Sequence, residues 1–569
     1  MYRLIHKLKK RFSKKGGEIN PEDIFIDSAN LPGLNQDRLE GRIERPIDEL
    51  TFVIFRTTIL IVLVFLSVRL GGLQIAGGDV YAKVSEENRL TRGVIFADRG
   101  VIFDRNGLPL AENGIRSEEG DFAARIYADI EGLAAVVGYV KYPSKDSRGI
   151  YYDELYHGQT GVEKTYNAIL SGKNGSKLTE TDALNNVTSE SLINSAVKGQ
   201  DIELSIDALL TQKLFQTISF VAKDRGFTGG TGVIMDVRTG EILSLTSYPS
   251  YDQNLVTEGT DKSAITKLLT SRGTPFLNRA VSGLYTPGSI VKPVVAIGAL
   301  NEKIISPTKT ILSTGALTLP NPYDPERPSV FRDWKAHGLV DIIDALAVSS
   351  DVYFYEVGGG FGNQKGLGIS KLDQYFSLFG MSEKTGIDLP AEEESYIATP
   401  EWKEKNFPED PDWRIGNTYH TAIGQYGTQV TPIAALRWTA ALANGGKLLT
   451  PTVVALNSSE KPRGSKDVGL SLDLYKIIKE GMRESVLRGV ASGLSNGVVK
   501  VAAKTGTAEL GARKESVNSW VTGFFPYEEP HYAFAIVMER GPVTNTIGAV
   551  SVMRKVLDWM VENTPEYLK

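Results

Sequence analysis

A serine hydroxyl and a lysine amine lie three residues apart at the start of an apolar run, LYTPGSIVKPVVAIGAL, residues 284–300. Pro293 is tolerated only in the first turn of an α-helix, so we expect a helix that begins at or close to Ser289. Positions i and i+3 share one face of a helix, which places Ser289 beside Lys292. A serine hydroxyl becomes a nucleophile when a base takes its proton, and burial can lower the pKa of a lysine enough for that task.

This pair has a plain structural alternative, in which Ser289 only caps the helix and Lys292 extends to solvent. Three other Ser-x-x-Lys patterns, at Ser195, Ser306 and Ser458, lie in polar or proline-containing stretches, so the pattern alone leaves both interpretations open. Ser289 differs from them because an apolar helix follows it. The first N–H groups of that helix and its dipole could stabilise an anion that forms on an attacked carbonyl.

Two further motifs strengthen the enzymatic interpretation. VSSDVYFYEVG contains Ser349–Asp351 ahead of an aromatic helical face, and KVAAKTGTAEL contains Lys504–Thr507 at the end of a predicted strand. Each motif is common by itself. Ser-x-x-Lys, Ser-x-Asp and Lys-Thr-Gly in this order, each on the expected element, do not arise readily by chance.

Composition limits the chemistry that these residues can support. The chain has 569 residues, of which 41% are hydrophobic and 23% charged, as in a folded protein of several domains. It has no cysteine, which excludes disulfides, thiolate metal sites and a cysteine nucleophile. The five histidines have no spacing that sets two on one helical face, so we expect no histidine metal centre. GGGFG, residues 358–362, lacks the context of a phosphate loop and indicates a turn.

The elements that must carry this site begin with a predicted membrane anchor. The stretch FVIFRTTILIVLVFLSVRLGGLQI is long and apolar enough to cross a bilayer, which predicts a transmembrane helix over 52–76. Residues 1–15 carry seven lysines or arginines and no acid, so the positive-inside rule places 1–51 in the cytoplasm and the bulk outside the plasma (inner) membrane, in the periplasm or its equivalent. Basic charge confined to a tail also argues against a nucleic-acid partner.

The remaining chain divides into two predicted domains. Residues 77–200 contain the pentapeptide RGVIF twice, an Asn106-Gly107 turn and short glycine-punctuated segments, which indicate an elongated, β-rich pedestal. From 201 onward, a strand, a helix capped by Asp207 and a hairpin precede a mainly helical region, and three strands and a helix close the chain. Helices inserted into one mixed sheet predict an α/β (α+β) catalytic domain over 201–569.

Together these motifs resemble a class B penicillin-binding protein. RGVIFDRNG and GVEKTYNAILSGKNG resemble its membrane-proximal pedestal, whereas YTPGSIVKP, TGIDLP, AIGQYGTQVTP and KTGTAE resemble its penicillin-binding, β-lactamase-like transpeptidase domain. No segment between the membrane helix and the pedestal resembles a glycosyltransferase domain, which argues against the bifunctional class A proteins. FRDW and the Ser-Ser-Asp form favour the elongation or rod-shape type over the division type. The resemblance implies a D,D-transpeptidase that cross-links peptidoglycan through an acyl-serine and that β-lactams acylate.

The resemblance also implies a role for each catalytic residue. Ser289 would attack the carbonyl between the two terminal D-alanines of a donor stem peptide, and Lys292 would take its proton. Ser349 and Asp351 would help to relay that proton to the leaving D-alanine. Lys504 would keep the cleft positive. An amine of a second, acceptor stem peptide would then resolve the ester into a cross-link.

The Lys-Thr-Gly motif would bind substrate through Thr505, Gly506 and Thr507. Threonine hydroxyls would hold the substrate carboxylate, and the backbone N–H of Thr507 would join that of Ser289 in an oxyanion hole. A membrane glycosyltransferase of the SEDS type is the implied protein partner, and no cofactor is implied. Two alternatives stay open: an acyl-serine β-lactamase or β-lactam sensor, and a non-catalytic scaffold that activates a SEDS glycosyltransferase.

Several positions depart from the family pattern. Asp351 stands where asparagine is frequent, and Tyr426 of GQYG stands where glycine is usual. Some elongation-type relatives carry a zinc ion near the second motif, and Asp324, Asp333 and His337 lie in that region. Because the chain has no cysteine and the spacing is altered, we predict that this region binds no metal.

Overall fold

The computed structural model describes residues 48–81, 83, 90–114, 121–147, 149–181, 187–321, 324, 326–456, 462–511 and 513–569. The basic tail predicted over 1–51 therefore lies almost wholly outside the described residues. The chain forms two compact units, Met1–Leu90 and Thr91–Lys569.

The first unit contains one long apolar helix, α1 (Glu49–Gly71), which continues in a π-helical turn at Gly72–Ala76. None of its residues is buried within the protein. Among the described residues, only this 28-residue helix is long and apolar enough to cross a membrane. Its position agrees with the transmembrane helix predicted over 52–76.

The chain from Leu90 to residue 204 consists mainly of short strands. The strands are β1 (Leu90–Ile95), β2 (Ile102–Phe103), β3 (Pro109–Asn113), β4 (Arg125–Tyr127), β5 (Val140–Lys141), β6 (Ser144–Lys145), β7 (Tyr151–Asp153), β8 (His157–Gly158), β9 (Gly175–Thr181), β10 (Val187–Asn194) and β11 (Ile202–Glu203). The short helices are α2 (Ala134–Val137), α3 (Gly161–Thr165) and α4 (Asn167–Leu170). As predicted, Gly107 turns β2 into β3 with a φ of +80°.

A buried ion network lies in this β-rich region. The side chain of Glu163 is fully buried, and its two carboxylate oxygens pair with Arg99 at 2.6 Å and with Arg125 at 2.8 Å. The two arginines come from separate segments, before β2 and in β4, so the carboxylate joins three parts of the predicted pedestal. Burying three charges is costly unless they are paired. Glu163 is the carboxylate that compensates both arginines.

The catalytic part of the chain begins with helices and strands in alternation. Its helices are α5 (Ala208–Arg225), α6 (Gln253–Glu258), α7 (Lys262–Leu269), α8 (Arg279–Ser282), α9 (Lys292–Asn301), α10 (Ile342–Val348), α11 (Asp351–Gly359), α12 (Gly368–Leu378), α13 (Pro400–Asn406), α14 (Ile415–Ala422), α15 (Pro432–Asn444), α16 (Leu472–Leu487) and α17 (Ala549–Asn563). Its strands are β12 (Gly229–Asp236), β13 (Ile242–Tyr248), β14 (Ile311–Ser313), β15 (Ala316–Leu319), β16 (Ser329–Arg332), β17 (Gly338–Val340), β18 (Lys447–Leu449), β19 (Ser465–Asp467), β20 (Ala502–Leu510), β21 (Ser516–Phe525) and β22 (Tyr532–Pro542).

A five-stranded sheet in the order β13-β12-β22-β21-β20 forms the centre of this part. The predicted α+β architecture is present, with one correction: every neighbouring pair in this sheet is antiparallel, so the sheet is not mixed. The reason is that β12 and β13 form a hairpin and β20–β22 form a meander, both of which reverse direction at each turn. Helices α5 and α17 cover one face. Asp207 caps α5 as predicted, accepting a hydrogen bond from Leu210 N at 2.9 Å.

The inserted helices surround α9 on the side of the sheet that faces away from α5. Residues 292–300 of α9 are all buried, and the helix packs against α11, α12 and α16. An apolar helix buried on all sides has little freedom to shift, which makes its N-terminal end a rigid place for a reactive group.

Candidate active site

Ser289 lies in a single 3₁₀ turn, Gly288–Val291, that leads directly into α9. The sequence predicted an α-helix from about Ser289, whereas the α-helix begins at Lys292, with Pro293 in its first turn. In a 3₁₀ turn the side chains at i and i+3 eclipse each other, so Ser289 and Lys292 still share one face. Lys292 N donates to Ser289 O within this turn. The Ser289 side chain is half-buried.

Lys292 is completely buried and fully hydrogen-bonded. Its Nζ donates to Ser349 O at 2.7 Å, to Ser349 Oγ at 3.2 Å and to Asp351 Oδ1 at 2.6 Å. The ring of Phe354 lies 5.3 Å from the same nitrogen. The alternative in which Lys292 extends to solvent is therefore wrong. Lys292 is one partner of an ion pair and not the unpaired amine that the sequence led us to expect.

Lys504, from β20, contacts the same hydroxyl. Its Nζ lies 2.8 Å from Ser349 Oγ and 2.9 Å from Thr505 O, and the residue is fully buried. Burial, and after it the positive charge of Lys292, lowers the pKa of Lys504 well below its ordinary value, although Asp351 acts in the other direction. The strongly perturbed amine in this structure is thus Lys504.

The strand β20 and the Ser289 turn are in backbone contact. A Cβ placed on Gly288 would lie 3.0 Å from Thr507 O, and one on Gly506 would lie 2.6 Å from Pro287 O. Only glycine permits this approach at both positions, which explains the glycine in each of the two motifs. The approach brings the Ser289 turn next to Thr507, as an oxyanion hole formed by both residues requires.

Two further segments hold the Ser289 turn in place by hydrogen bonds. Gly288 N donates to Gly424 O at 2.9 Å, and Trp520 Nε1 donates to Thr286 O at 3.0 Å. Tyr426, the departure noted in GQYG, has a φ of +57° and its ring packs against Trp402 and Trp413 at centroid distances of 6.1 and 5.6 Å. A tyrosine at position 426 therefore holds this loop through its contacts with the two tryptophans, and the Gly424 carbonyl still accepts from Gly288 N.

The second motif occupies the junction of α10 and α11. Ser349 ends α10 with φ +57° and ψ +40°, and Ser350 caps α11 by accepting a hydrogen bond from Tyr353 N. A left-handed conformation is uncommon for serine, and here it lets both Ser349 O and Ser349 Oγ face Lys292.

Sequence reasoning did not assign a catalytic-site role to Asp333 or Ser350. The buried Asp333 carboxylate accepts from Ser350 Oγ at 2.8 Å and from Val352 N at 3.0 Å, which ties it to both sides of Asp351. Asp333 follows β16 in the FRDW segment. No local sequence pattern identifies such a residue, because its partners Ser350 and Val352 lie 17 and 19 residues further along the chain.

The residues near the second motif do not fit a zinc site. Asp333 Oδ1 and His337 Nε2 lie 3.4 Å apart, and both side chains are buried, but Asp324 is partly exposed and pairs with Arg327 at 3.6 Å. The described residues contain no group of three histidine, cysteine, aspartate or glutamate side chains that could hold a metal ion. The other groups on Asp333 are serine hydroxyls and backbone N–H groups, whereas zinc takes histidine, cysteine or carboxylate ligands.

Two family models match this chain. The penicillin-binding protein transpeptidase domain matches residues 230–558, and the penicillin-binding protein dimerisation domain matches residues 121–204. The chain therefore belongs to the penicillin-binding proteins, in the class B group that combines these two domains. The resemblance and the fold class predicted from the sequence motifs are confirmed.

The relatives include MrdA and PBP2 proteins of the elongation type, which confirms that part of the resemblance as well. Peptidoglycan D,D-transpeptidase MrdA of Acinetobacter baumannii is 33% identical over 448 residues, which cover 73% of this chain and 63% of the relative. PBP2 of Pseudomonas aeruginosa, solved in complex with WCK 5153, is 29% identical with a TM-score of 0.68 and covers 84% of this chain and 98% of its own. PBP2 of Helicobacter pylori, solved in complex with MreC, is 27% identical with a TM-score of 0.67 and covers 83% and 99%.

Proposed function

We propose that this chain is an elongation-type peptidoglycan D,D-transpeptidase in which Ser289 forms an acyl ester with a donor stem peptide. One observation carries the proposal: Ser349 Oγ lies between two buried lysine amines, 3.2 Å from Lys292 Nζ and 2.8 Å from Lys504 Nζ, beside the Ser289 turn. Such an arrangement can accept the proton of a serine hydroxyl without a histidine.

The contacts support a proton path through Ser349. Lys292 takes the proton of Ser289 as one of its own protons passes to Ser349 Oγ, and the Ser349 proton passes to Lys504, whose lowered pKa favours the deprotonated amine as the acceptor. Lys292 and Ser349 end this step as they began, and Lys504 becomes an ammonium ion. The reverse path returns the proton to the nitrogen of the leaving D-alanine when the tetrahedral intermediate collapses.

The close approach of β20 to the Ser289 turn supports the binding of negative charge. The backbone N–H groups of Ser289 and Thr507 would hold the oxyanion, and the hydroxyls of Thr505 and Thr507 would hold the terminal carboxylate of the donor peptide. Thr507 is exposed and Thr505 is half-buried, so both can meet a ligand from solvent. The buried charge on Lys504 after proton transfer would strengthen this anion binding.

The ester would be resolved by an amine of an acceptor stem peptide, and β-lactams would acylate the same serine. We further propose that α1 anchors the chain with residues 1–51 in the cytoplasm and the catalytic domain outside the inner membrane. A SEDS-type glycosyltransferase is the proposed membrane partner. The MreC complex of the H. pylori neighbour is a precedent for a protein partner of this fold.

A labelling experiment with matched serine variants tests the proposal. The full-length protein is treated with a fluorescent penicillin, and the adduct is mapped by mass spectrometry of peptides. We expect one adduct on Ser289 that Ser289→Ala abolishes. Ser195→Ala is the control, because Ser195 also begins a Ser-x-x-Lys pattern but is exposed near Lys198 and should have no effect.

An adduct that persists in Ser289→Ala would refute the covalent mechanism. Rapid release of hydrolysed penicillin by the wild type would favour a β-lactamase. Full complementation of a depletion strain by Ser289→Ala would favour a scaffold that does not need the serine.

A further inference from the structure

Ser349 and Asp351 hold the amine of Lys292 only if the junction between α10 and α11 keeps an unusual shape. Ser349 has a positive φ of 57°, a conformation that is strained for a non-glycine residue. Such a conformation persists when the surrounding contacts determine it. The contacts that do so here come from outside the two helices.

The carboxylate of Asp333 supplies most of these contacts. Its Oδ2 accepts from Ser350 Oγ at 2.8 Å and from Val352 N at 3.0 Å, and Ser313 Oγ lies 3.3 Å away. Its Oδ1 accepts from Trp334 N at 2.8 Å. These four donors, three on Oδ2 and one on Oδ1, hold the carboxylate in one orientation.

The surroundings of Asp333 are rigid as well. The Asp333 side chain is completely buried, and its backbone N donates to Gly315 O at 2.9 Å across the β15–β16 hairpin. Burial alone would raise the pKa of Asp333, but hydrogen bonds from Val352 N and Ser350 Oγ lower it below its ordinary value. The group is therefore an ionised carboxylate whose hydrogen bonds are of the stronger, charge-assisted kind.

We propose that Asp333 is the positioning residue of the second motif: by direct hydrogen bonds to Ser350 and Val352, and without a metal ion, it aims Ser349 and Asp351 at Lys292. This inference deepens the proposed function and rests on it. Asp333 does not touch the reacting atoms and acts through the α10–α11 junction. Ser313 and Ser350 provide hydroxyls that hydrogen-bond this carboxylate but are poor ligands for zinc.

The positioning role of Asp333 can be separated from a general loss of stability by the kinetics of penicillin acylation. These are measured with the full-length protein in detergent. The dissociation constant of the non-covalent complex and the acylation rate constant are measured for the wild type, Asp333→Asn and Ser350→Ala. We expect the rate constant to fall at least tenfold in Asp333→Asn, with the dissociation constant within threefold of wild type. Ser350→Ala should change the rate constant in the same direction, and it keeps the proposal testable if Asp333→Asn does not fold.

A double variant of Asp333 and Ser350, together with a matched control variant, distinguishes the proposed contact from general structural damage. Because Ser350 acts through its hydrogen bond to Asp333, the double variant should acylate no more slowly than Asp333→Asn, a non-additive result that independent structural damage would not give. Asp341→Asn is the control, since Asp341 caps α10 by accepting from Asp344 N at 2.9 Å but does not touch the second motif. Its rate constant should stay within twofold of wild type.

Metal analysis by plasma mass spectrometry, before and after EDTA, tests the second half of the proposal. We expect no stoichiometric metal and an acylation rate constant that EDTA leaves unchanged. An acylation rate constant within twofold of wild type in Asp333→Asn, or loss of one metal per chain together with acylation on EDTA treatment, would overturn the inference. In either case Ser289→Ala would still abolish the adduct if the proposed function holds, whereas a wild type without a Ser289 adduct would remove both proposals.

Discussion

Gly288 lies at the contact between the Ser289 turn and β20, and its replacement by alanine isolates what this contact does. Gly288 has a φ of +58°, and a Cβ there would lie 3.0 Å from Thr507 O. The left-handed conformation costs an L-residue about 1–2 kcal/mol. The added contact also forces the turn and the strand apart by a few tenths of an ångström.

That displacement acts on the two N–H groups that we assign to the oxyanion hole, because Ser289 lies on one side of the contact and Thr507 on the other. Complete loss of one such donor lowers the rate by about 10²–10³. A shift of a few tenths of an ångström weakens a donor without removing it. We therefore expect Gly288→Ala to lower the acylation rate constant for a fluorescent penicillin by about tenfold to a hundredfold, less than the loss of about 10²–10³ for a donor that is removed completely.

Gly497→Ala is the matched control. Gly497 has a φ of +76°, but a Cβ there would meet no atom within 4 Å, so this variant carries the backbone strain without the displacement. Gly497→Ala should lose about 1–2 kcal/mol of unfolding free energy in urea, and Gly288→Ala should lose at least as much. Only Gly288→Ala should lose acylation. If its rate constant stayed within threefold of Gly497→Ala, the close approach of β20 to the turn would not be what positions the oxyanion donors.

Two further predictions concern buried charge. Because the folded-state pKa of Lys504 is lowered, the unfolded chain binds one more proton between that pKa and about 10.4, so stability should rise with pH across this window. Lys504→Met should remove that slope in urea unfolding measured at several pH values, and an unchanged slope would contradict the assignment. Glu163→Gln leaves Arg99 and Arg125 buried without a countercharge and should cost about 3–5 kcal/mol of unfolding free energy. A loss below about 1 kcal/mol would show that the ion network does not hold this region.

Local features of the fold could be predicted from the sequence, because neighbouring residues determine them. The turn at Gly107, the cap at Asp207 and the closing β20–β22 meander all depend on residues close in the chain. The 3₁₀ turn before α9 could not be predicted in the same way. Pro293 restricts where a helix can start, but it does not distinguish a 3₁₀ turn from a first α-turn.

The residue types of the sequence identify the three motifs. They do not identify the residues that contact the motif side chains. The ion pair of Lys292 with Asp351 depends on the left-handed conformation of Ser349, which no residue in the motif requires. Asp333 reaches the motif only because β15 and β16 fold back across α11. Contacts of this kind follow from tertiary packing, and one sequence contains no pattern that reports them.

Asp351 also makes the surroundings of the two buried lysines unequal. Two ammonium groups facing one buried hydroxyl repel each other, and the described site offers a single carboxylate within hydrogen-bond distance of either amine, at 2.6 Å from Lys292. Among the described residues, Lys504 Nζ bonds to Ser349 Oγ and to Thr505 O, and desolvation and the charge of Lys292 lower its pKa more than Asp351 raises it. An asparagine at position 351 would remove this counter-ion from Lys292, and with it the difference between the two amines. The aspartate thus makes the two amines unequal: Lys292 has a counter-ion at 2.6 Å, whereas Lys504, on the strand that we propose binds substrate, has its pKa lowered by burial and by the charge of Lys292.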